Sequence, residues 1–429
     1  MSESTFLEKL LDGAEAEWMP LGEVADKIYS GGTPNTKSAE YWENGTVPWM
    51  SSGEVNFKII QETEKYITET GLRNSSAKIV PKDSIVMALA GQGKTRGKVA
   101  RTRIELTTNQ SLAAITFDEN RINSDYVFHF LETQYENLRQ ISSGNSGRGG
   151  LNLKIISNYK APIPCPENPE KSLAIQAEIV RILDTFTELT AELTAELTAR
   201  TKQYNYYRDQ LLTFEDGEAC LSGRQVEWKT LGEVLTDKFW IMPATPKFDE
   251  TEEVPYITSK NIRGGNIDFN KVKFISRKDF QNLSRNRPIL AGDFLISMIG
   301  TIGEVARVKE DDLDFYGQNM YLIRLNPNLI LSGYFLHFFD SPKMKRHFNG
   351  VKNNSGQGYL KANNIENIRV PIPPLAEQAR IVAILDKFDT LTHSISEGLP
   401  REIELRQKQY EYYRDLLLNF PKTQTKGVA

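Results

Sequence analysis

The chain has 429 residues, 39% of them hydrophobic and 25% charged, with 52 Lys and Arg against 56 Asp and Glu for a net charge of −4. At about 150 residues per domain this length predicts two to four compact units, with apolar material enough for ordinary cores and too little for a membrane protein. No apolar run approaches the ~18 residues of a spanning helix, and Glu3, Glu8, Asp12 and Glu15 spoil a signal peptide, so the expected compartment is cytoplasmic.

Residues 1–16 read as a helix stub ending near Leu10-Leu11. A compact block, 17–165, opens with Glu17-Trp18-x-x-Leu21-Gly22-Glu23-Val24. Short apolar runs such as Ile85-Val86-Met87-Ala88-Leu89, bounded by Gly, Pro and Asp, read there as buried strands. Ser124 through Gln140 reads as a capped helix with Tyr126, Val127, Phe130 and Leu131 on one face. The block ends on Pro162-Ile163-Pro164, and residues 166–214 form a helical region. In it, Ile175, Ile179, Ile182, Phe186, Leu189, Leu193, Leu197, Arg200, Tyr204, Tyr207 and Leu211 step by fours and threes, a heptad seam with one stutter. The stutter falls in a tandem, Thr190-Ala191-Glu192-Leu193 and Thr194-Ala195-Glu196-Leu197. A rise of ~1.5 Å per residue makes this seam a rod of roughly 55 Å.

After a linker, 215–226, the chain is written a second time. Glu227-Trp228-x-x-Leu231-Gly232-Glu233-Val234 opens a block at 227–374, and Val47-Pro48-Trp49 returns as Val254-Pro255-Tyr256. Gly97-Lys98-Val99-Ala100 returns as Gly303-Glu304-Val305-Ala306, and Pro162-Ile163-Pro164 as Pro371-Ile372-Pro373. A C-terminal helical region, 375–420, repeats Ile179-Val180-x-Ile182-Leu183-Asp184-x-Phe186 as Ile381-Val382-x-Ile384-Leu385-Asp386-x-Phe388. It also repeats Tyr206-Tyr207-Arg208-Asp209 as Tyr412-Tyr413-Arg414-Asp415, before a tail at 421–429. Gly398-Leu399-Pro400 predicts a kink in this copy. The expected architecture is α+β: two pseudo-symmetric mixed α/β domains separated by an antiparallel coiled coil of long helices, with the two chain ends meeting in space.

Catalytic motifs are missing. Gly91-Gln92-Gly93-Lys94-Thr95-Arg96-Gly97 misses the Walker spacing and reads better as a backbone-contacting basic loop. His129, His337, His347 and His393 are scattered and read as structural or exposed, Cys165 and Cys220 cannot build a thiolate cluster, and no metal or cofactor is expected. No carboxylate pair is singled out as a general acid and base. The repeated Glu-Trp and Tyr-Tyr-Arg-Asp elements are either packing surface or a docking surface repeated for a repeated partner.

The charge is partitioned. Residues 17–165 hold 17 basic and 16 acidic side chains and 227–374 hold 20 and 17, so the rest of the chain carries −8. Basic residues cluster within the blocks, Lys94, Arg96, Lys98, Arg101 and Arg103 in the first and Lys343, Lys345, Arg346, Lys352 and Lys361 in the second. A fused, diverged pair of domains suits reading two different DNA half-sites separated by unread base pairs, because phosphate contacts position a domain while bidentate side chains read base edges. The candidate DNA-binding residues are Gln92, Lys94, Arg96, Lys98 and Arg148 in the first block and Lys260, Asn261, Arg263, Lys352, Asn353 and Gln357 in the second; Leu189, Leu193 and Leu197 are the candidate spacer helix.

The duplicated order of these motifs resembles the specificity subunit of a type I restriction-modification enzyme. The resemblance spans nearly the whole chain and includes Gly31-Gly32-Thr33-Pro34, Tyr41-Trp42, Pro48-Trp49 and the paired Gln-x-x-Ile-Val-x-Ile-Leu-Asp-x-Phe helices beginning at Gln176 and Gln378. It implies two target-recognition domains that bind double-stranded DNA, joined by helices that act as ruler and as platform for two modification (adenine methyltransferase) subunits, with ATP-driven restriction subunits joining them. It further implies that this chain is itself non-catalytic. The second opening departs from the pattern, with Trp240-Ile241-Met242-Pro243 in place of Gly-Gly-Thr-Pro, so the two domains are expected to read different bases. The competing reading is a self-contained DNA methyltransferase or nuclease.

Overall fold

The computed structural model describes residues 9–91, 95–142, 150–214, 226–351, 359–394 and 396–420. The chain divides into two compact units, 1–192 with 403–429, and 193–402. The helical regions are therefore shared out between the units instead of forming a body of their own.

In the first unit the strands are β1 (Ala16–Pro20), β2 (Lys27–Ser30), β3 (Val47–Met50), β4 (Ile59–Ile60), β5 (Lys65–Ile67), β6 (Ile79–Val80), β7 (Ile85–Ala88), β8 (Val99–Thr102), β9 (Leu106–Thr108), β10 (Leu112–Thr116) and β11 (Lys160–Pro164). They form a five-stranded sheet in the order β2-β10-β7-β8-β4, a four-stranded sheet in the order β5-β3-β9-β6, and the pair β1-β11. Both faces of the larger sheet are covered: Ile85 and Met87 of β7 join one hydrophobic cluster, Val86 and Ala88 the other. That is why this strand reads as an unbroken apolar run, with no alternation. Helix α1 (Ser124–Thr133), capped by the Asn123 side chain accepting from the Tyr126 amide at 3.1 Å, lays Tyr126, Val127, Phe130 and Leu131 on that sheet. Two shorter helices follow, α2 (Tyr135–Ser142) and α3 (Leu153–Asn158).

Helix α4 (Pro169–Leu212) is continuous over 44 residues, and the boundary between the units falls between Glu192 and Leu193, inside the Thr-Ala-Glu-Leu tandem. Its N-terminal half buries Ile175, Ile179 and Leu183 in the first unit's main cluster. The burial phase corrects the heptad reading: Leu183, not Ile182, is fully buried, and toward the other end Tyr204, Arg208 and Leu212 are buried while Tyr207 is exposed. The seam turns by about one residue because each half of the helix packs against a domain as well as against another helix.

The second unit repeats the plan with β12 (Glu227–Thr230), β13 (Leu235–Ile241), β14 (Val254–Ile257), β15 (Ile262–Arg263), β16 (Asn266–Ile267), β17 (Lys273–Ile275), β18 (Phe294–Ser297), β19 (Val305–Arg307), β20 (Tyr316–Gly317), β21 (Met320–Leu325) and β22 (Arg369–Ile372). The sheet β13-β21-β18-β19 matches β2-β10-β7-β8 strand for strand, and β17-β14-β20 matches β5-β3-β9, with a parallel pair in each. The helices are α5 (Arg277–Ser284), α6 (Ser332–Phe339), α7 (Pro342–Val351), α8 (Ala362–Glu366), α9 (Leu375–His393) and α10 (Gly398–Leu418). Where a kink is expected, the helix stops outright between α9 and α10. Gly398 has φ +75°, and a Cβ there would meet the Thr390 carbonyl oxygen at 2.4 Å, so only glycine fits the restart.

Leu10 and Leu11 pack against the same first-unit cluster that contains Leu417, Leu418 and Phe420 of the C-terminal region. Among the described residues no helix is long and apolar enough to cross a membrane.

Candidate nucleic-acid interface

Five of the eleven candidate readers lie in described residues. In the first unit, Arg96 sits half-buried in the turn 95–97, its amide donating to the Gly91 carbonyl at 3.3 Å. Lys98 follows, half-buried, with Nζ donating to Asn56 Oδ1 at 2.7 Å. Asn56 belongs to the turn Glu54–Phe57, and Lys58 just beyond it pairs with Glu132 of α1 at 2.8 Å. Residues 95–98 and this turn therefore converge near the end of α1, around a cavity of about 210 Å³ lined by Asn56, Lys58, Lys98, Leu131, Glu132 and Tyr135. Gln92, Lys94 and Arg148 lie outside the described residues.

In the second unit, Lys260 and Arg263 are exposed, Lys260 on the turn Ser259–Asn261 and Arg263 on β15. Asn261 is turned inward. Its Oδ1 accepts from the Thr258 amide at 3.0 Å, and its Nδ2 donates to the Asp268 carbonyl at 2.9 Å. Those bonds hold the turn, so its amide is not presented to a base edge as it stands. Lys352, Asn353 and Gln357 lie outside the described residues.

The basic cluster of the first block is smaller than its sequence suggests. Arg101 is only 5% exposed and makes a bidentate pair with Asp184 of α4, at 2.8 and 3.1 Å, and a 3.2 Å contact with Asp125. Arg103 pairs with Asp125 at 2.6 Å and Asp83 at 3.0 Å. These two cations are spent inside the unit. Of the second cluster, Lys345 pairs with Asp340 at 2.8 Å.

Equivalent positions of the two units carry different chemistry. Lys98 corresponds to Glu304, and the loop between the two central sheet strands runs over 89–98 in the first unit against 298–304 in the second, three residues shorter. At the openings, β2 stops at Ser30, whereas β13 continues through Ile241, paired to Met320.

What the units share is the attachment of helix to domain. His129 Nε2 lies 3.0 Å from Asp184 Oδ1, and His337 Nε2 lies 2.6 Å from Asp386 Oδ1. Gln176 Oε1 accepts from the Asn123 amide at 2.9 Å, and Gln378 Oε1 from the Leu331 amide at 2.8 Å, each tying a helix of the domain to a helix of the shared region. Tyr126 donates to the Pro162 carbonyl at 2.7 Å and Tyr334 to the Pro371 carbonyl at 3.1 Å. A stacked Phe–Tyr pair closes each helix contact, Phe186 on Tyr413 in the first unit and Tyr207 on Phe388 in the second. No local motif assigns this anchoring role to Gln176, Asp184, Gln378 or Asp386. Their signal was present, as polar residues that return unchanged inside an apolar repeat.

The family model for the type I restriction modification DNA specificity domain matches residues 14–203 and again 224–405. The chain belongs to the type I restriction-modification specificity family. Among similar proteins, the type I restriction enzyme EcoR124I/EcoR124II specificity subunit of Escherichia coli is 37% identical over 435 residues, covering 99% of both chains. The EcoprrI specificity subunit of the same species is 33% identical over 408 residues, covering 92% of this chain and 93% of that one. The solved S subunit of the type I system from M. genitalium has the same fold, with a TM-score of 0.55 at 16% identity over 96% of this chain and 98% of that one. A chain from a structure described as showing complex assembly and conformational transition of the type I system gives 0.60 at 14% identity, covering 94% and 98%. For a type I specificity subunit, the pattern found here is apt: the attachments are the same twice over, and the exposed loops differ. Among the described residues no group of three or more His, Cys, Asp or Glu side chains could hold a metal ion.

Proposed function

We propose that this type I specificity subunit is the non-catalytic reader of a bipartite DNA target. The first unit reads one half-site, the second reads the other, and helix α4 sets the unread spacing between them. The observation that carries this reading is the twofold family match within one chain, with unlike side chains at equivalent loop positions such as Lys98 and Glu304. Arg96, Lys98, Lys260 and Arg263 are the proposed contacts, the cations to phosphate or to guanine edges. The helical regions are proposed to dock two modification subunits, with restriction subunits joining the complex, so that methyl transfer and cleavage belong to the partners. The exposed Tyr206 and Tyr412, at matching places in the repeat, support a twice-used docking surface.

The test is a genome-wide map of methylated adenines in cells carrying this chain and its modification partner. The expected result is one asymmetric motif of two short base sequences separated by a fixed run of unread positions. A single uninterrupted motif, or methylation by the purified chain alone, overturns the proposal.

A further inference from the structure

Phe57 stands out among the apolar side chains of the first unit because it is 61% exposed at the tip of a rigid turn. The turn is anchored from below. Glu54 is 2% exposed, and its carboxylate accepts from the Ser51 amide at 2.6 Å and the Glu64 amide at 2.9 Å. Val55 is buried at 1%, Asn56 Nδ2 donates to the Gly53 carbonyl at 2.8 Å, and Lys58 takes φ +62° to close the turn. The Lys58 carbonyl then accepts from the Arg101 amide at 2.8 Å, tying the turn to the central sheet. A non-glycine residue held in a left-handed conformation is tolerated only where its surroundings over-determine it. The outcome here is that Phe57 is held out in solvent.

The fold does not need an aromatic at that point. In the second unit the same tie to the sheet is made by the Gly265 carbonyl accepting from the Arg307 amide at 3.0 Å, and the residue corresponding to Phe57 is Gly264. There the tip is a tight hairpin of Gly264 and Gly265, both at positive φ, between β15 and β16. The two units thus preserve the anchor and change what the tip presents: Phe57 between Asn56 and Lys58 in one, exposed Arg263 beside two glycines in the other.

We propose that Phe57 is an apolar wedge that enters a base step of the half-site read by the first unit and partly unstacks it. Side chains of this type open steps in duplex DNA when cations beside them hold the flanking phosphates. Lys58 and Lys98 supply those cations by exchanging their present partners, Glu132 at 2.8 Å for the Lys58 side chain, which is 64% exposed, and Asn56 Oδ1 at 2.7 Å for Lys98, for the phosphates. The proposal rests on the DNA-reading function above and adds a distortion confined to one half-site.

The experiment uses the complete chain assembled with its modification subunits and duplexes carrying the mapped target, with 2-aminopurine placed in turn at each step of both half-sites. The parent complex is expected to raise the fluorescence at one step of the first half-site. Phe57→Ala abolishes that rise and weakens specific binding on the order of tenfold, the scale of one base–aromatic contact, while Phe57→Leu retains most of both. Thermal stability of the free chain is unchanged in either variant because the side chain is exposed. If Phe57→Ala keeps the fluorescence rise and the affinity, the wedge is refuted and the DNA reading stands. If the variant instead loses modification subunits with the fluorescence rise intact, Phe57 is a protein contact and the wedge is again refuted. If the parent complex shows no preference for the mapped duplex, the DNA reading itself fails and the wedge falls with it.

Discussion

Asp184 shows how a helix is locked to its domain by a charge that its own sequence neighbours do not reveal. Burial works against its ionised form, but hydrogen bonds from His129 and Arg101 and the positive charge of Arg101 outweigh it and hold the carboxyl at about 2, below its ordinary 3.8. The folded-state value is the lower one, so the stabilisation is complete above about pH 5 and is lost as pH falls through 4 toward 2. A shift of that size is worth about 2 kcal/mol. Asp184→Asn also leaves Arg101, 5% exposed, with only part of its counter-charge, so the expected destabilisation at pH 7 is about 2–4 kcal/mol. Chemical denaturation followed by tryptophan fluorescence should show the gap between parent and variant narrowing by about half from pH 5 to pH 3. A variant as stable as the parent at pH 7 would mean that Asp184 does not hold the helix. The matching Asp386 has a side chain 61% exposed, so its pair with His337 contributes less.

Helix α4 is where the sequence reading was both most informative and most in error. Its apolar spacing predicts one long helix, and one is present, but a heptad seam assumes that another helix is the sole partner. Leu183 and Leu212 face domain cores as well, which moves the buried stripe off Ile182 and Leu211. The strands were legible because runs such as 85–88 are buried on both faces, and the repeat was legible because the attachments are duplicated. The basic cluster and the candidate contacts were less legible, since a polar side chain in the sequence does not say which partner it meets: Arg101 and Arg103 of the first cluster turn inward to carboxylates distant in sequence, and the candidate Asn261 to its own turn and the Asp268 carbonyl. In the middle of α4 the tandem has no such double duty. Leu193 and Leu197 are half-buried between exposed neighbours. Deleting Thr194 through Leu197 removes about one turn, ~6 Å along the axis. The methylation map of that variant should keep both half-sites and shorten the unread run between them; altered half-sites would refute the ruler.

At the scale of the whole molecule, the duplicated attachments make the two domains exchangeable. A chain in which residues 17–165 replace 227–374 brings His129 to the place of His337, opposite Asp386, and Tyr126 together with its acceptor carbonyl at Pro162. Gln378 finds the Asn123 amide in place of that of Leu331. Arg101, whose counterpart Arg307 is exposed, gains Asp386 as the equivalent of Asp184. The His–Asp, Gln–amide and Tyr–carbonyl contacts that fix a helix to a domain therefore have their counterparts in the exchanged chain, and the buried Arg101 keeps a counter-charge from the helix. The exposed loops, by contrast, become alike, with Lys98 replacing Glu304 and Phe57 replacing Gly264. The expected methylation map has the same bases in both half-sites, those of the parent's first half-site, with the unread run set by α4 as before. Retention of the parent's second half-site would show that the reading residues lie outside 227–374, in the shared helices, and would separate the attachment role of the helices from any reading by them.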